Sequence, residues 1–495
     1  MSAYFAPDQL VLLAVLTPFV GALIIPLFHR WPNLRETVTL VTAIVLFGIV
    51  VSLLGPVLAG GRPEFHLITV ARGLDLAFRI EPLGMLFALV ASSLWIVNSI
   101  YSIGYMRANA EPRQTIFYVC FAIALGSTMG IAFAKNLFTL FLFYEALTLS
   151  TYPLVTHKQN ADAMRAGRIY LLLLLGSSLL LFLPAIMATW FLAGTLDFTP
   201  GGILAGKVAP LVMGLLLALY VFGIGKAAVM PLHFWLPAAM VAPTPVSALL
   251  HAVAVVKAGV FTIVKVVVFI FGIETLTATG ANEWLIYLAA GCILLASLIA
   301  LSKDNLKARL AYSTVSQLAY VVLGAALATT VGVTGSAVQI AMHAAGKITL
   351  FFCAGAIYVA THRTEVSEFD GLGRAMPFTF FAFFLGSLSV IGIPPLGGTW
   401  SKWLLATAAA DTGHLLVVGV LMVSSLLNIS YLLSIVGRAF FLPPREGDSE
   451  LLKGGIREAP LACVVPLSLT AIACVILFFE IDNIQALVAG ALTGR

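Results

Sequence analysis

Apolar runs of roughly 20 residues, long enough as helices to cross a ~30 Å hydrocarbon core, recur along the whole 495-residue chain. They fall near 9–28, 37–59, 80–101, 115–133, 136–156, 169–193, 208–240, 244–271, 283–301, 311–330, 333–360, 375–408, 414–441 and 459–480. The pattern predicts an all-α polytopic membrane protein with about fourteen transmembrane helices. Polar stretches between the runs are short, so residues 1–495 read as a single membrane domain. The first run is preceded by Asp8 and followed by His29 and Arg30, the reverse of a secretory leader.

Interruptions of the apolar pattern carry more information than the pattern. Lys226, Lys257, Lys347 and Lys402 sit deep inside apolar stretches, and Glu145 interrupts the run Phe138–Ala146. A charge at the centre of a spanning helix costs about 2.5–3.5 kcal/mol, so it normally faces a protein-lined or hydrated path. Two segments also break the helical pattern. In 223–237, Pro231 has no N–H and frees the carbonyl of Ala227 beside Lys226; in 392–402, Pro394 and Pro395 remove two helix bonds ahead of Lys402. Paired interruptions in corresponding helices of two halves point to a transport site. The breaks fall in the seventh and twelfth runs, five apart. Five is odd, so the order of elements predicts two inverted five-helix repeats, 115–271 and 283–441.

Composition and charge add orientation. The chain is 61% hydrophobic and 10% charged, where a soluble domain carries about 25% charged residues. With the N-terminus outside, sixteen of the 27 Lys and Arg residues fall on the inner side, among them Arg30, Arg107, Lys158, Arg363, Arg445 and Lys453. Seven fall outside (Arg62, Arg72, Arg79, Lys135, Lys207, Lys265 and Arg495), and the other four are the buried lysines. The positive-inside rule then predicts both termini outside the cell's inner (plasma) membrane. A net charge of +5 needs no nucleic acid to explain it. Cys120, Cys292, Cys353, Cys463 and Cys474 lie within spans without a CxxC pair, as small buried hydrophobes. No glycine-rich phosphate loop, no metal-ligand spacing and no site for covalent catalysis is visible, so neither cofactor nor metal is expected.

The stretch Lys226-Ala-Ala-Val-Met-Pro-Leu-His-Phe-Trp-Leu-Pro and its continuation to His251 resembles the signature of the antiporter-like membrane subunit family. That family comprises the large Mrp-type cation/proton antiporter subunits and the proton-pumping membrane subunits of respiratory complex I and related hydrogenases. Residues 304–320 resemble its second signature, and Gly392-Ile-Pro-Pro-Leu-Gly-Gly its third. The resemblance covers nearly the whole chain. It implies fourteen helices, an inverted five-helix repeat, a midplane line of charged residues and companion membrane subunits. By it, Glu145 matches the fifth-helix glutamate, Lys226 the seventh-helix lysine, Lys257 the eighth-helix lysine and Lys402 the twelfth-helix lysine. His251 and His343 fall where members often place histidines, and Lys347 extends the line. Length and motifs look most like the D subunit of an Mrp-type antiporter.

These residues set specific expectations. Glu145 and Lys226 are expected to pair, since pairing favours both charged forms and separation frees a proton. His343 and Lys347, four apart, share a helix face, whereas His251 and Lys257, six apart, do not. His233 is expected to cap the broken helix. Ser316, Gln317 and Tyr320 are expected to link the two halves, and the loop 438–457 to offer a charged docking surface. The leading functional reading is a proton-conducting subunit of a multisubunit Na+/proton antiporter. The alternative is a proton-translocating membrane subunit of a complex I-like or hydrogenase-type redox complex. A subunit coupled to bicarbonate capture and a membrane scaffold are the other readings.

Overall fold

The structure is a computed structural model that describes residues 6–71, 73–444 and 455–492. Arg72, Arg445, Lys453 and Arg495, used above for orientation, lie outside the described residues, as does the middle of the 438–457 loop. Helices α1 (Pro7–Ile24) and α2 (Pro32–Leu58) lead to an antiparallel hairpin, β1 (Glu64–Ala71) and β2 (Leu74–Arg79). Next come α3 (Pro82–Ala108), α4 (Gln114–Ala132), α5 (Leu137–Val155), α6 (Ala161–Ser177) and α7 (Leu183–Ala193). A π turn at Ser178–Phe182 joins α6 and α7 into one rod. Then follow α8 (Pro210–Gly223), the short α9 (Trp235–Ala238) and α10 (Thr244–Ala248), α11 (Val255–Val266) and α12 (Ile273–Thr279). The remainder comprises α13 (Glu283–Ser302), α14 (Leu306–Ala326), α15 (Thr330–Thr361), α16 (Pro377–Ile391), α17 (Gly398–Asp411) and α18 (Leu415–Phe441). Last are α19 (Leu461–Phe479) and α20 (Ile481–Leu492).

The chain is an almost entirely helical, multi-pass membrane protein. Among the described residues, eleven helices are long and apolar enough to cross a membrane. The seventh apolar run holds α8 and the irregular chain after it, the tenth holds α14, and the twelfth is divided between α16 and α17. At 14, 15 and 14 residues, α8, α16 and α17 each rise only about 21–23 Å. None reaches across a ~30 Å core alone.

Helix starts follow local chemistry. Proline opens α1, α2, α3, α8 and α16, where its missing N–H is one of the orphan donors anyway. Asn136, Asn160 and Asn305 cap α5, α6 and α14, their side-chain oxygens accepting the N–H of Thr139, Ala163 and Ala308 at 2.8, 2.9 and 3.1 Å.

Burial locates the centre. The apolar windows of residues 244–271 and of α15 are 100% buried, against 33% for α2. A helix apolar on every side suits lipid as well as a core. Here the two that carry Lys257 and Lys347 are enclosed by other helices.

Three features depart from the sequence reading. The eighth run is not one helix: Ala254 (φ −120°, ψ −71°) interrupts it between a π turn at Leu249–Val253 and α11, so His251 and Lys257 lie on opposite sides of a break. The hairpin and α20 had no counterpart in it. Phe78 of β2 bridges to Ala134, and Arg62 Nη2 donates to Gly490 O at 2.9 Å, so hairpin and α20 share one side of the bundle, here the hairpin side. Lastly, Lys265 is not a loop residue but is fully buried in α11.

Candidate functional site

Lys226 lies inside the first break, in the tight turn Gly225–Ala227 that follows α8. It is fully buried. Its Nζ donates to Tyr144 O at 2.8 Å and to Thr148 Oγ1 at 2.5 Å, and stands 3.2 Å from the Tyr144 ring centroid. The Lys226 backbone N–H donates to Tyr144 Oη at 3.1 Å. All four contacts come from α5. Gly259 lets α11 press against the same turn: a Cβ there would overlap the Lys226–Ala227 backbone.

Glu145 is not ion-paired with Lys226. No carboxylate lies within 4 Å of Lys226 Nζ among the described residues, and both Glu145 oxygens are buried without a hydrogen-bond partner. The reason is helical phase. Successive residues sit 100° apart, so Tyr144 and Thr148 turn to Lys226 while Glu145 falls on the stripe of Leu142 and Leu149, which are 42% and 58% exposed.

In the centre, Lys257 Nζ of α11 hydrogen-bonds to His343 Nδ1 of α15, and both residues are buried. One turn along α15, Lys347 Nζ donates to Ser313 Oγ at 2.6 Å and, more weakly, to Leu310 O at 3.4 Å on α14. Ser313 Oγ also accepts from Tyr431 Oη of α18 at 2.8 Å. His251 packs its ring on Phe351, centroids 4.6 Å apart, with neither nitrogen bonded among the described residues. Gln339, His343, Lys347 and Phe351 thus recur every fourth residue on α15 and join this cluster to the second break.

There, α16 ends at Ile391, residues 392–397 turn, and α17 begins at Gly398. The partly buried Lys402 sits one turn into α17. Its Nζ donates to Ile391 O at 2.8 Å and to Ser425 Oγ at 3.1 Å, with the Tyr320 ring centroid 5.0 Å away. The neighbouring Ser401 Oγ donates to Gln339 Oε1 at 2.5 Å, and Gln339 Nε2 donates to Gln317 Oε1 at 2.9 Å. Ser401, next to Lys402 in sequence, thus bonds to Gln339, which lies one turn from His343 on the same α15 stripe.

Ser316, Gln317 and Tyr320 accordingly serve the second half rather than the seam between halves. Ser316 bonds to Ser297 at 3.0 Å, and Ser297 in turn to Ser424 at 3.1 Å. Neither His233 ring nitrogen makes a well-formed hydrogen bond among the described residues, and the ring packs on Phe234, so no cap on the broken helix is seen there. Pro231 lies in the irregular chain between α8 and α9, and Pro394 and Pro395 in the turn between α16 and α17. Tyr144, Thr148, Ser313, Gln339, Ser401 and Tyr431 are the site residues that sequence reasoning missed. Only Gln339 left a signal, four residues before His343. The others are ordinary spanning residues until a partner helix is placed beside them.

Comparison with known proteins places this geometry. Residues 134–428 match the family model described as NADH:quinone oxidoreductase/Mrp antiporter, transmembrane region. The chain is 31% identical over 411 residues to NADH-quinone oxidoreductase subunit N of Desulforudis audaxviator, covering 80% of this chain and 81% of that one. It is 27% identical over 504 residues to the Na+/H+ antiporter A subunit of Alkalihalophilus pseudofirmus, covering 94% of this chain but only 60% of that longer protein. In fold it superimposes on a chain of the Mrp complex from Dietzia sp. DQ12-45-1b with a TM-score of 0.86 at 22% identity, over 98% of this chain and 97% of that one. The chain belongs to the NADH:quinone oxidoreductase/Mrp antiporter transmembrane family.

Proposed function

We propose that this chain is the proton-conducting subunit of a multisubunit monovalent cation (Na+)/proton antiporter, moving protons along Glu145, Lys226, His251, Lys257, His343, Lys347 and Lys402. The observation that carries the reading is the Lys257–His343 bond between two spans whose apolar windows are wholly buried. Whichever nitrogen holds the proton, the pair keeps one between two bases, and an imidazole can pass it on in either direction. A purely structural ion pair would set a carboxylate against Lys257 instead. Lys226, Lys347 and Lys402 are likewise held by neutral oxygens. Fourteen crossings, inverted repeats at 115–271 and 283–441, and both termini outside the plasma membrane belong to the same proposal.

Companion membrane subunits are part of it. Glu145 has no hydrogen-bonded partner among the described residues and shares a stripe with exposed leucines. The exposed leucines beside it offer a surface on which a neighbouring subunit can pack. The test is reconstitution into liposomes carrying a pH-sensitive dye, with and without the co-purified chains. Cation-dependent exchange is expected only from the assembly. Strong alkalinisation by the pure chain would remove the subunit part of the proposal.

A second reading is a proton-translocating membrane subunit of a redox complex. It is favoured by the likeness to a quinone oxidoreductase subunit that extends over four-fifths of both chains. Co-purified iron–sulfur or quinone-binding subunits would decide for it.

A further inference from the structure

Lys265 has no place in the line described so far, yet it is as buried as any member of it. It lies eight residues beyond Lys257 on α11, about 12 Å nearer the hairpin side by helical rise. Its Nζ donates to Ala134 O at 2.6 Å, stands 4.2 Å from the Phe198 ring centroid and lies 3.5 Å from Glu81 Oε2. Glu81, 5% exposed, immediately precedes α3 in the two-residue link from β2. Its other oxygen, Oε1, accepts from Arg79 Nη2 at 2.9 Å, whereas Oε2 receives no hydrogen bond among the described residues. Beyond Glu81 lies a cavity of about 250 Å³ on the hairpin side. Arg62, Arg79 and Glu81 line it, and residues 490–491 of α20 form its edge. Lys265 is not among the lining residues. Glu81 therefore stands between a buried ammonium and a space with room for several waters.

We propose that Lys265 and Glu81 form the hairpin-side end of the proton path, exchanging protons between the buried line and water in the Arg62–Arg79–Glu81 cavity. This rests on the proton-conducting reading. The Lys265 ammonium breaks one N–H bond and Glu81 Oε2 gains an O–H bond, leaving a neutral amine and a neutral acid. The transfer leaves the summed charge of Lys265, Glu81 and Arg79 unchanged at +1, although it moves a proton from nitrogen to oxygen and leaves Arg79 facing a neutral acid. Glu81 then releases the proton to cavity water, and the Lys265 amine takes a replacement from the Lys257 side. Run in reverse, the same steps admit protons. No reactant other than water and protons is needed. Arg79 holds Oε1 and leaves Oε2 for the exchange, which makes it a positioning residue. A purely structural role fits the site less well, because a buried ion pair is a poor source of stability.

The experiment uses the whole assembly in everted membrane vesicles. Lys265→Arg keeps the positive charge but removes a group that deprotonates. Glu81→Gln keeps shape and burial but removes the proton acceptor. Assembly is checked on native gels, and proton movement by dye quenching at matched complex levels. Assembled Lys265→Arg and Glu81→Gln are each expected to lose at least about tenfold in rate. Wild-type rates in either assembled variant would overturn the proposal. If the bulkier arginine prevents assembly, Glu81→Gln alone decides in the same way. Lys257→Met run in parallel separates the two levels of inference. Loss there with full activity in Glu81→Gln sinks only the exit at Lys265 and Glu81, whereas activity in Lys257→Met sinks the proton line.

Discussion

The two broken elements each present a lysine to a carbonyl, a hydroxyl and a tyrosine face, but they do so by different means. In the first, Lys226 lies within the break, is fully buried and takes every contact from one neighbouring helix, α5. In the second, Lys402 lies one turn past the break, is partly exposed and is held by α16, α18 and α14 together. The carbonyl it uses is that of Ile391. In an unbroken helix that oxygen would accept the N–H of residue 395, and Pro395 has none. The second break therefore manufactures its own lysine ligand. The first supplies slack chain instead: although Pro231 removes an N–H in the same way, Lys226 turns to α5. Similar sequence punctuation produces a lysine tied to a partner helix in one half and a lysine tied to its own break in the other.

The sharpest way to test that difference is to remove each anchor. Lys226→Ala leaves the Tyr144 carbonyl and Thr148 hydroxyl facing an apolar gap and takes a titrating group out of the line. Proton movement in everted vesicles is expected to fall by about a hundredfold, the scale of a lost acid–base group, with the protein still assembled. Wild-type rates at matched expression would remove Lys226 from the path. The arginine substitution separates charge from titration at the second break. Lys402 is only partly buried and has several ligands, so Lys402→Arg is expected to assemble normally and still lose about tenfold in rate, because arginine does not deprotonate in proteins. Full activity would reduce Lys402 to a fixed positive charge.

Backbone proximity gives the next contrast. Gly259 lets α11 approach the first break, and Gly398 lets α17 approach the second, where a Cβ would overlap the Ser389 carbonyl. Overpacking a well-filled core costs about 1–3 kcal/mol. Gly259→Ala and Gly398→Ala are both expected to lower the midpoint of thermal unfolding in detergent. Only Gly259→Ala should also impair Lys226, because it displaces the turn that carries that lysine. Equal transport defects in the two would erase the distinction between an anchored lysine and an anchored break.

Much of this was legible in the chain, for identifiable reasons. Lipid demands long apolar helices, so spans and their interruptions stand out without any knowledge of packing. Charges in those spans are rare enough that Lys226, Lys257, Lys347 and Lys402 stand out one by one. What stayed hidden depends on helical phase and on neighbours. Glu145 and Tyr144 differ by one residue and by 100° of rotation, and the sequence alone does not say which one meets Lys226. Lys265 read as an outer basic residue because a single lysine near the end of an apolar run looks like a loop until Glu81, 184 positions earlier, is seen beside it. The hairpin is hidden because residues 64–71 and 74–79 are two short, mostly apolar segments between two longer and stronger membrane signals.

The smallest effect compares corners on the side of the bundle away from the hairpin, one in each half. Next to α5, burial and then the neighbouring Arg113 hold the His157 imidazole down at about 4, and Glu111 lies 3.6 Å away. Next to α14, Asp304 is drawn below its usual range. Slight burial opposes that shift, but bonds from the Ser367 N–H at 3.0 Å and hydroxyl at 2.7 Å outweigh it. The signs of the linkage agree but the windows differ. A histidine with a depressed folded pKa binds its proton more readily when unfolded, so the contribution of His157 is complete above pH about 6.5 and declines as pH falls from there toward 4. Asp304 contributes fully above pH about 4, its unfolded range, and loses that contribution only at more acid pH. Hydrogen exchange at pH 5 is therefore expected to show faster opening of 156–160 than at pH 7, with 304–306 unchanged. Loss of protection at both corners together would show that acid acts on the whole bundle, not on His157.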